Sequence, residues 1–456
     1  MGVQAAVLLA AGRGERMWPF ADVRNKAAMP VGNTPNVRRL ADSLHRIGVR
    51  RIAVVLGWQS GSVRHALLGC EGVVFVDAPQ GGGTAGAALA GANVLPDERF
   101  LVIYGDTVVH DDDLRAVAEA QEDAGVPGAA LWDRLPIGEG SDWHCAEVEN
   151  GRLRCIVGHE SDALTRWLGV VAADRSLLPL LEANPGYLRR VPVGGMPPSE
   201  ADLAQSLNDW PAEIAAIEAS HPVVDMDKPW HVLQANALVA EQAAGALTAH
   251  AIHPTARIHD GAQIDGFVQL GPGSEIGNRV VVRGNLVVGS GTRIVNGAIL
   301  AGHSVVGDRC RISDYAFVEA RSTIGNDCIV GHGAEMDGTL FDGAYLWHYC
   351  EICGLVGLSV DIGAATVCGT LRFDDGRAEH RVRGRRERPL VEANATYFGD
   401  YSRTGVNVIT QPGAKIGGYA CVGPGVIVQG DVPSRTLRLV RQETIDRPWG
   451  PERYGW

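Results

Sequence analysis

Lysine is almost missing from this chain. Its 456 residues include 41 basic side chains, and only Lys26, Lys228 and Lys415 among them are lysines. Such a bias makes each lysine worth locating. Aromatic residues are sparse at 6%, whereas glycine is abundant at 58 residues, a balance that suits a regular architecture with many turns. An excess of positive charge is also lacking. The net charge of -12 excludes a general nucleic-acid role, so phosphate recognition would need local cations. No apolar run reaches membrane-spanning length, and the apolar N-terminus lacks a basic flank and a cleavage site; neither a membrane segment nor a signal peptide is expected. The nine cysteines are odd in number and scattered. Cys350 and Cys353 form one CxxC without a second pair at zinc spacing, so free thiols in a cytoplasmic protein are expected.

What is present divides in two. Residues 1–240 alternate short apolar runs (5–9, 52–56, 73–76, 100–104, 129–132) with helix-like stretches such as 37–47 and 61–68. That alternation predicts a mostly parallel sheet covered by helices on both faces, with ligands outside the carboxyl ends of the strands. From about residue 250 the period changes to six. Ile252, Ile258, Ile264, Leu270 and every sixth residue through Met336 are aliphatic, fifteen positions in all. A hexapeptide repeat places one aliphatic side chain on each flat face of a triangular solenoid. The pattern stops near Asp342, resumes at Val356, Ile362 and Cys368, and returns from Phe398 through Val428. It predicts about eight coils over 250–434, with 337–355 and 369–397 leaving the prism as loops and 435–456 as a tail.

One segment of the first half carries chemistry. In "VLLAAGRGERMWPF", residues 7–20, a strand-like run meets a glycine-rich cationic turn. Such a turn can deliver backbone amides and a guanidinium to an anion. Alone it better describes a strand end with a solvated arginine.

The longer stretch "LAAGRGERMWPFADVRNKAAMPVGNTP" resembles the signature of the bifunctional sugar-1-phosphate nucleotidylyltransferases that carry a left-handed β-helix acyltransferase domain. "GVNVITQPGAKIGGYACVGPGVIV" and "GTLRFDDG" look closest to archaeal-type relatives, and the resemblance covers essentially the whole chain. The fold it implies is α/β plus all-β: a Rossmann-like nucleotidyltransferase sheet, then a left-handed parallel β-helix. It implies a triphosphate lying on the glycine turn, with Leu9, Ala11, Gly12 and Gly14 beneath it. Arg13 and Arg16 would donate to phosphates, Arg13 to the leaving pyrophosphate, and Lys26 would act as a point charge. "GGGTAGAAL", with Gly83 and Thr84, resembles the family's segment near the base, and "LVIYGDTVV" its element with Tyr104, Gly105 and the Mg²⁺ ligand Asp106. The second metal ligand falls on Asp225 in "VVDMDKPWHVL", chosen over Asp227 by alignment on Pro229 and Trp230. The implied reaction is in-line attack of a sugar 1-phosphate on the α-phosphorus of an NTP, with UTP or dTTP preferred and GTP open. The β-helix implies a homotrimer.

The sequence also departs from the pattern. The family's sugar-binding Glu and Asn fall on Gly158 and Trp167, with Glu160 as a substitute for the first. A different sugar or sugar-like acceptor is therefore expected. The acyltransferase His falls on Trp347, beside His348, the candidate general base. The family's Asn before "LRFDD" is Thr370, and a Lys near residue 393 is absent. Three readings stay open: a nucleotidyltransferase with a non-acylating β-helix, a bifunctional enzyme that also uses acetyl-CoA, and a regulatory protein that binds an NDP-sugar.

Overall fold

A computed structural model describes residues 3–123, 125–189 and 201–454. Its N-terminal half is built on nine strands in the order 73–77, 51–56, 5–10, 99–104, 165–174, 128–134, 214–218, 152–158 and 144–149. The first four run parallel. The strand Thr165–Asp174 is antiparallel to both of its neighbours.

Period-two alternation explains the layers. Along the strand Ala5–Ala10, Ala6 and Leu8 pack with Leu40 and Leu44 of the helix Asn36–Arg46 and with Leu114 and Val117 of the helix Asp111–Asp123. Ala5 and Val7 face the other way, onto Ala85 and Ala88 of the helix Gly83–Asn93. Residues 5–8 are all fully buried, as a sheet covered on both faces requires. Among the described residues no helix is long and apolar enough to cross a membrane.

From Ala251 the chain winds as a parallel β-helix with three short strands per coil. Leu270 pairs with Val288 and Ile276 with Ile294, each one coil of eighteen residues later. The hexapeptide aliphatics form the interior: Ile276, Ile294, Ile312 and Val330 stack in line and are fully buried. Removing such ladders from water is the main stabilising term of a solenoid.

The segment 337–355, expected to leave the prism, stays in its wall. Strand Glu335–Leu340 begins against Phe317–Val318 and ends against Thr323–Ile324, so it turns a corner without breaking. Met336 pairs with Ile352, making this coil sixteen residues instead of eighteen. Two residues are lost where Gly338 turns, at φ 118°, and Gly354 repeats the turn one coil on at φ 145°. A Cβ on Gly338 would lie 2.3 Å from the Gly354 carbonyl oxygen and 3.2 Å from Leu233. Leu233 belongs to the helix Pro229–Gly245, which lies along this edge. The corner is trimmed where the helix packs, and the trimming hides the hexapeptide period from the sequence. One face accordingly stacks ten strands, more than the eight coils expected, and reaches Leu437–Arg438 inside the segment read as a tail. Residues 455 and 456 of that tail lie outside the described residues.

The second interruption, expected over 369–397, does leave the prism and rejoins its wall at the strand Thr396–Phe398. It forms a hairpin of His380–Val382 with Arg385–Glu387. The two halves of the chain share an apolar core. Met17, Phe20 and Met29 pack with Trp230 and Leu233, and with Phe341 and Tyr397 from the β-helix.

Candidate active site

The glycine-rich turn follows the first strand. Gly14 sits at φ 61°, a left-handed conformation that favours glycine, and a Cβ there would approach Lys26 Cβ to 3.3 Å. Asn25 fixes the loop from beneath. Its buried amide nitrogen donates to the carbonyls of Ala10, Gly12 and Trp58, and its side-chain oxygen accepts from Ala27 N–H at 2.9 Å. Gly105 N–H donates to the Leu9 carbonyl, which holds the ends of strands 5–10 and 99–104 together. A Cβ on Gly105 would meet that carbonyl oxygen at 2.8 Å. Ala11 accepts from Trp58 N–H, and the exposed Arg13 guanidinium stands 5.6 Å from the Trp58 ring.

The charged centre forms where a two-residue ribbon crosses the strand ends. Asp225 pairs with Thr107 and Val224 with Val108, while Met226 N–H donates to the Asp106 carbonyl. This ribbon explains how residues more than a hundred positions apart come together. Lys26 ion-pairs with Asp106, and Arg16 Nη1 meets Asp227 Oδ2 at 2.7 Å. Burial opposes the Lys26 charge, but Asp106, Asp227 and Asp225 outweigh it and raise its pKa. Burial likewise opposes ionisation of Asp227, yet Arg16 and Lys26 hold its carboxyl below the usual range. Asp225 differs. Burial, and then the Asp106 carboxylate, push its carboxyl well above the usual range. Among the described residues Asp225 has no ion pair within 4 Å. Three carboxylates thus face two cations, and the surplus falls on Asp225. A pair of hard oxygen donors, Asp106 buried and Asp225 half-buried, with excess negative charge fits a divalent cation of the Mg²⁺ type.

The other expected residues are placed as follows. Gly83, at φ 54°, opens the helix Gly83–Asn93, and Thr84 Oγ1 accepts from Leu203 N–H at 2.8 Å. Tyr104 packs edge-on against Trp167 at 5.3 Å, which fills with an indole the space where a polar sugar ligand was sought. Gly158 is buried at the end of the strand Arg152–Gly158, opposite His144. Glu160 lines a different hollow, with Trp132 and Cys145. His348 is not in a projecting loop. It sits exposed at a corner of the β-helix wall near His332, Trp347 and Tyr349, apart from the carboxylates. The indole N–H of Trp347 donates to Asp361 at 2.9 Å. All nine cysteines are free thiols.

Trp143 and Arg166 lie outside every motif quoted above. Asp225 lines a cavity of about 710 Å³ together with Trp143, Arg166 and His231. Arg166 lies 4.7 Å from the Trp143 ring centre and forms two hydrogen bonds with Asp133, at 2.7 and 2.8 Å. Burial lowers the His231 pKa to about 3, so this ring is neutral.

Residues 6–186 match the family model of the MobA-like NTP transferase domain, and residues 247–367 match that of the GMPPB C-terminal domain. The chain is a nucleotidyltransferase. A bifunctional sugar-1-phosphate nucleotidylyltransferase/acetyltransferase of Sulfurisphaera tokodaii is 23% identical over 440 residues, covering 94% of this chain and 98% of that protein. The bifunctional protein GlmU of Methanocaldococcus jannaschii is 24% identical over 455 residues, covering 97% and 99%. The GlmU protein of Geobacter metallireducens is 31% identical over 145 residues, 31% of this nucleotidyltransferase and 30% of that relative.

Proposed function

We propose that the nucleotidyltransferase joins an NTP to a sugar or sugar-like 1-phosphate and releases pyrophosphate. The observation that carries this reading is the cluster of buried Asp106 with half-buried Lys26 and Asp225 beside the glycine-rich turn. A phosphate oxygen of the acceptor forms a bond to the α-phosphorus, and the bond to the pyrophosphate oxygen breaks in line. Asp106 and Asp225 would hold Mg²⁺, which would supply charge screening at the α-phosphate and the incoming phosphate. The turn offers backbone amides to the triphosphate, with Leu9, Ala11, Gly12 and Gly14 below it and Gly83, Thr84, Tyr104 and Gly105 beside it. Lys26 and Arg13 neutralise the leaving pyrophosphate. The chain supplies position and charge, and no covalent intermediate is needed.

UTP or dTTP is the favoured donor by likeness to uridylyltransferases, and GTP is the alternative. The β-helix is read as left-handed, and its outer wall supports a homotrimer: Ile409 and Ile427 are neighbours on adjacent coils and about half exposed. His348 is exposed, and the family's acyltransferase His position is held by Trp347, so acetyl transfer is not part of this reading. The protein is read as cytoplasmic from its free thiols.

The test is pyrophosphate release with Mg²⁺ across the common NTPs and dTTP, against a panel of sugar 1-phosphates. Release with one pair names both substrates. Binding of NTP without release from any pair would sink the transfer reading in favour of a regulatory protein.

A further inference from the structure

The segment 369–397 leaves the β-helix after Cys368 and rejoins it before Phe398. Its hairpin reaches back to the other half of the chain. Lys228 Nζ meets Glu387 at 2.6 Å, and Arg383 meets Glu15 of the glycine-rich turn at 3.0 Å. So tethered, it supplies one wall of the 710 Å³ cavity that contains Asp225. No residue of the glycine turn lines this cavity, nor do Gly83 and Thr84. It therefore adjoins Asp225 on the side away from the glycine turn, which is read as the acceptor side.

That wall is strongly cationic. Residues 377–391 hold six arginines and two glutamates in a chain of net charge -12. Both glutamates are occupied: Glu387 by Lys228, and Glu379 by Arg386 and Arg388 together, each at 3.4 Å. Among the described residues Arg377 donates to the Pro389 carbonyl, at 3.3 Å, and has no ion pair. Arg377, Arg386 and Arg388 all line the cavity. On the facing wall, Arg134 and Arg166 are paired with Glu218 and Asp133, and Asp142 lies 3.4 Å from Lys228, so Glu139 and the candidate metal ligand Asp225 are the carboxylates left without an ion pair in that wall among the described residues. A guanidinium fork with spare N–H donors is suited to an oxyanion. The acceptor's 1-phosphate belongs at the metal beside Asp225, so these arginines answer to a different charge.

We propose that the β-helix insertion completes the acceptor site, and that the acceptor carries a second oxyanion, a carboxylate or a further phosphate, bound by Arg377, Arg386 and Arg388. This rests on the acceptor reading above. It also fits the loss of the family's sugar-binding Glu and Asn at Gly158 and Trp167, since a Glu there would add negative charge beside a doubly anionic acceptor.

The experiment is calorimetric titration of the full-length protein, in Mg²⁺, with glucose 1-phosphate, glucuronic acid 1-phosphate and glucose 1,6-bisphosphate. One doubly anionic probe should bind about tenfold or more tightly than glucose 1-phosphate. Preference for the glucuronate names a carboxylate, and preference for the bisphosphate names a phosphate. The double variant R386Q/R388Q should abolish the preference, and R386K/R388K should keep part of it. Both side chains are about 70% exposed (70% and 69%), so neither change removes core packing. Equal affinity for the three probes, or a preference that survives R386Q/R388Q, would overturn the proposal. Binding is read separately from turnover. A preference without pyrophosphate release from any NTP would remove the transferase reading and leave the insertion's role standing.

Discussion

Arg24 and Asp400, 376 positions apart, form a buried ion pair that joins the loop before Lys26 to the wall of the β-helix. The guanidinium also lies 5.1 Å from the Phe341 ring, and Asp400 accepts from Leu358 N–H at 2.7 Å. The pair thus ties the phosphate loop to both a coil corner and the shared core. Removing one member leaves the other charge buried and unpaired. Asp400→Ala should cost about 3–5 kcal/mol of stability and, because Asn25 and Lys26 follow directly, raise KM for the NTP. Thermal unfolding and initial rates check both; an unchanged melting temperature would refute the linkage.

Lys26→Ala should lower kcat by about 10²–10³, the cost typical of losing one charge-stabilising group. It should also leave Asp106, Asp225 and Asp227 with Arg16 as their only paired cation. The variant should therefore unfold at lower temperature in EDTA and recover most of the loss in Mg²⁺. Wild-type rates, or a melting temperature indifferent to Mg²⁺, would dismiss the assignment.

Asp225→Asn should separate activity from stability. The ionised Asp225 carboxylate is disfavoured by burial and by Asp106. Neutralising it should stabilise the metal-free protein by about 0.5–2 kcal/mol while greatly reducing Mg²⁺-dependent turnover. Differential scanning fluorimetry in EDTA is the readout, and a lower melting temperature would contradict the reading of Asp225 as the surplus charge.

Two buried histidines set an acid limit. Burial holds the pKa of His380 down to about 4 and that of His231 to about 3. Each is neutral when folded but takes a proton in the unfolded chain near its ordinary value of about 6.5. The unfolded state therefore binds more protons below that pH, and stability should fall as pH drops from about 6.5 toward 4. His380→Phe should flatten part of that slope, because the His380 ring packs between Trp230 and Tyr397 at 5.0 and 5.8 Å. Parallel pH profiles for the two proteins would show the histidine to be irrelevant.

Much of this architecture could be read from residue order alone, because its causes are local. The alternate facing of residues 5–8 toward two helix layers and the aliphatic of every sixth residue reflect periods fixed by the backbone. The phosphate loop is legible for the same reason: glycine is needed where Gly14 adopts a positive φ. What escaped depends on partners distant in sequence. The sixteen-residue coil at Gly338 exists because the Pro229–Gly245 helix lies against it, and no local period encodes that contact. Glu160 looked like a sugar ligand by its position, yet the strand end turns it to another hollow. The arginines of 377–391 are conspicuous as a charge run, but only the Lys228–Glu387 and Arg383–Glu15 pairs show which site they face.

The shared core changes what can be cut from this gene. Met17, Phe20, Met29, Trp230 and Leu233 find their cover in Phe341 and Tyr397. A stop codon or recombination crossover near residue 250 would leave the sheet's two interior layers complete, but would strip the cover from that seam and strand the Arg24 charge. Such a fragment would be smaller and also sticky. Inheritance should therefore treat the sheet and the solenoid as one unit, passed on together or lost together.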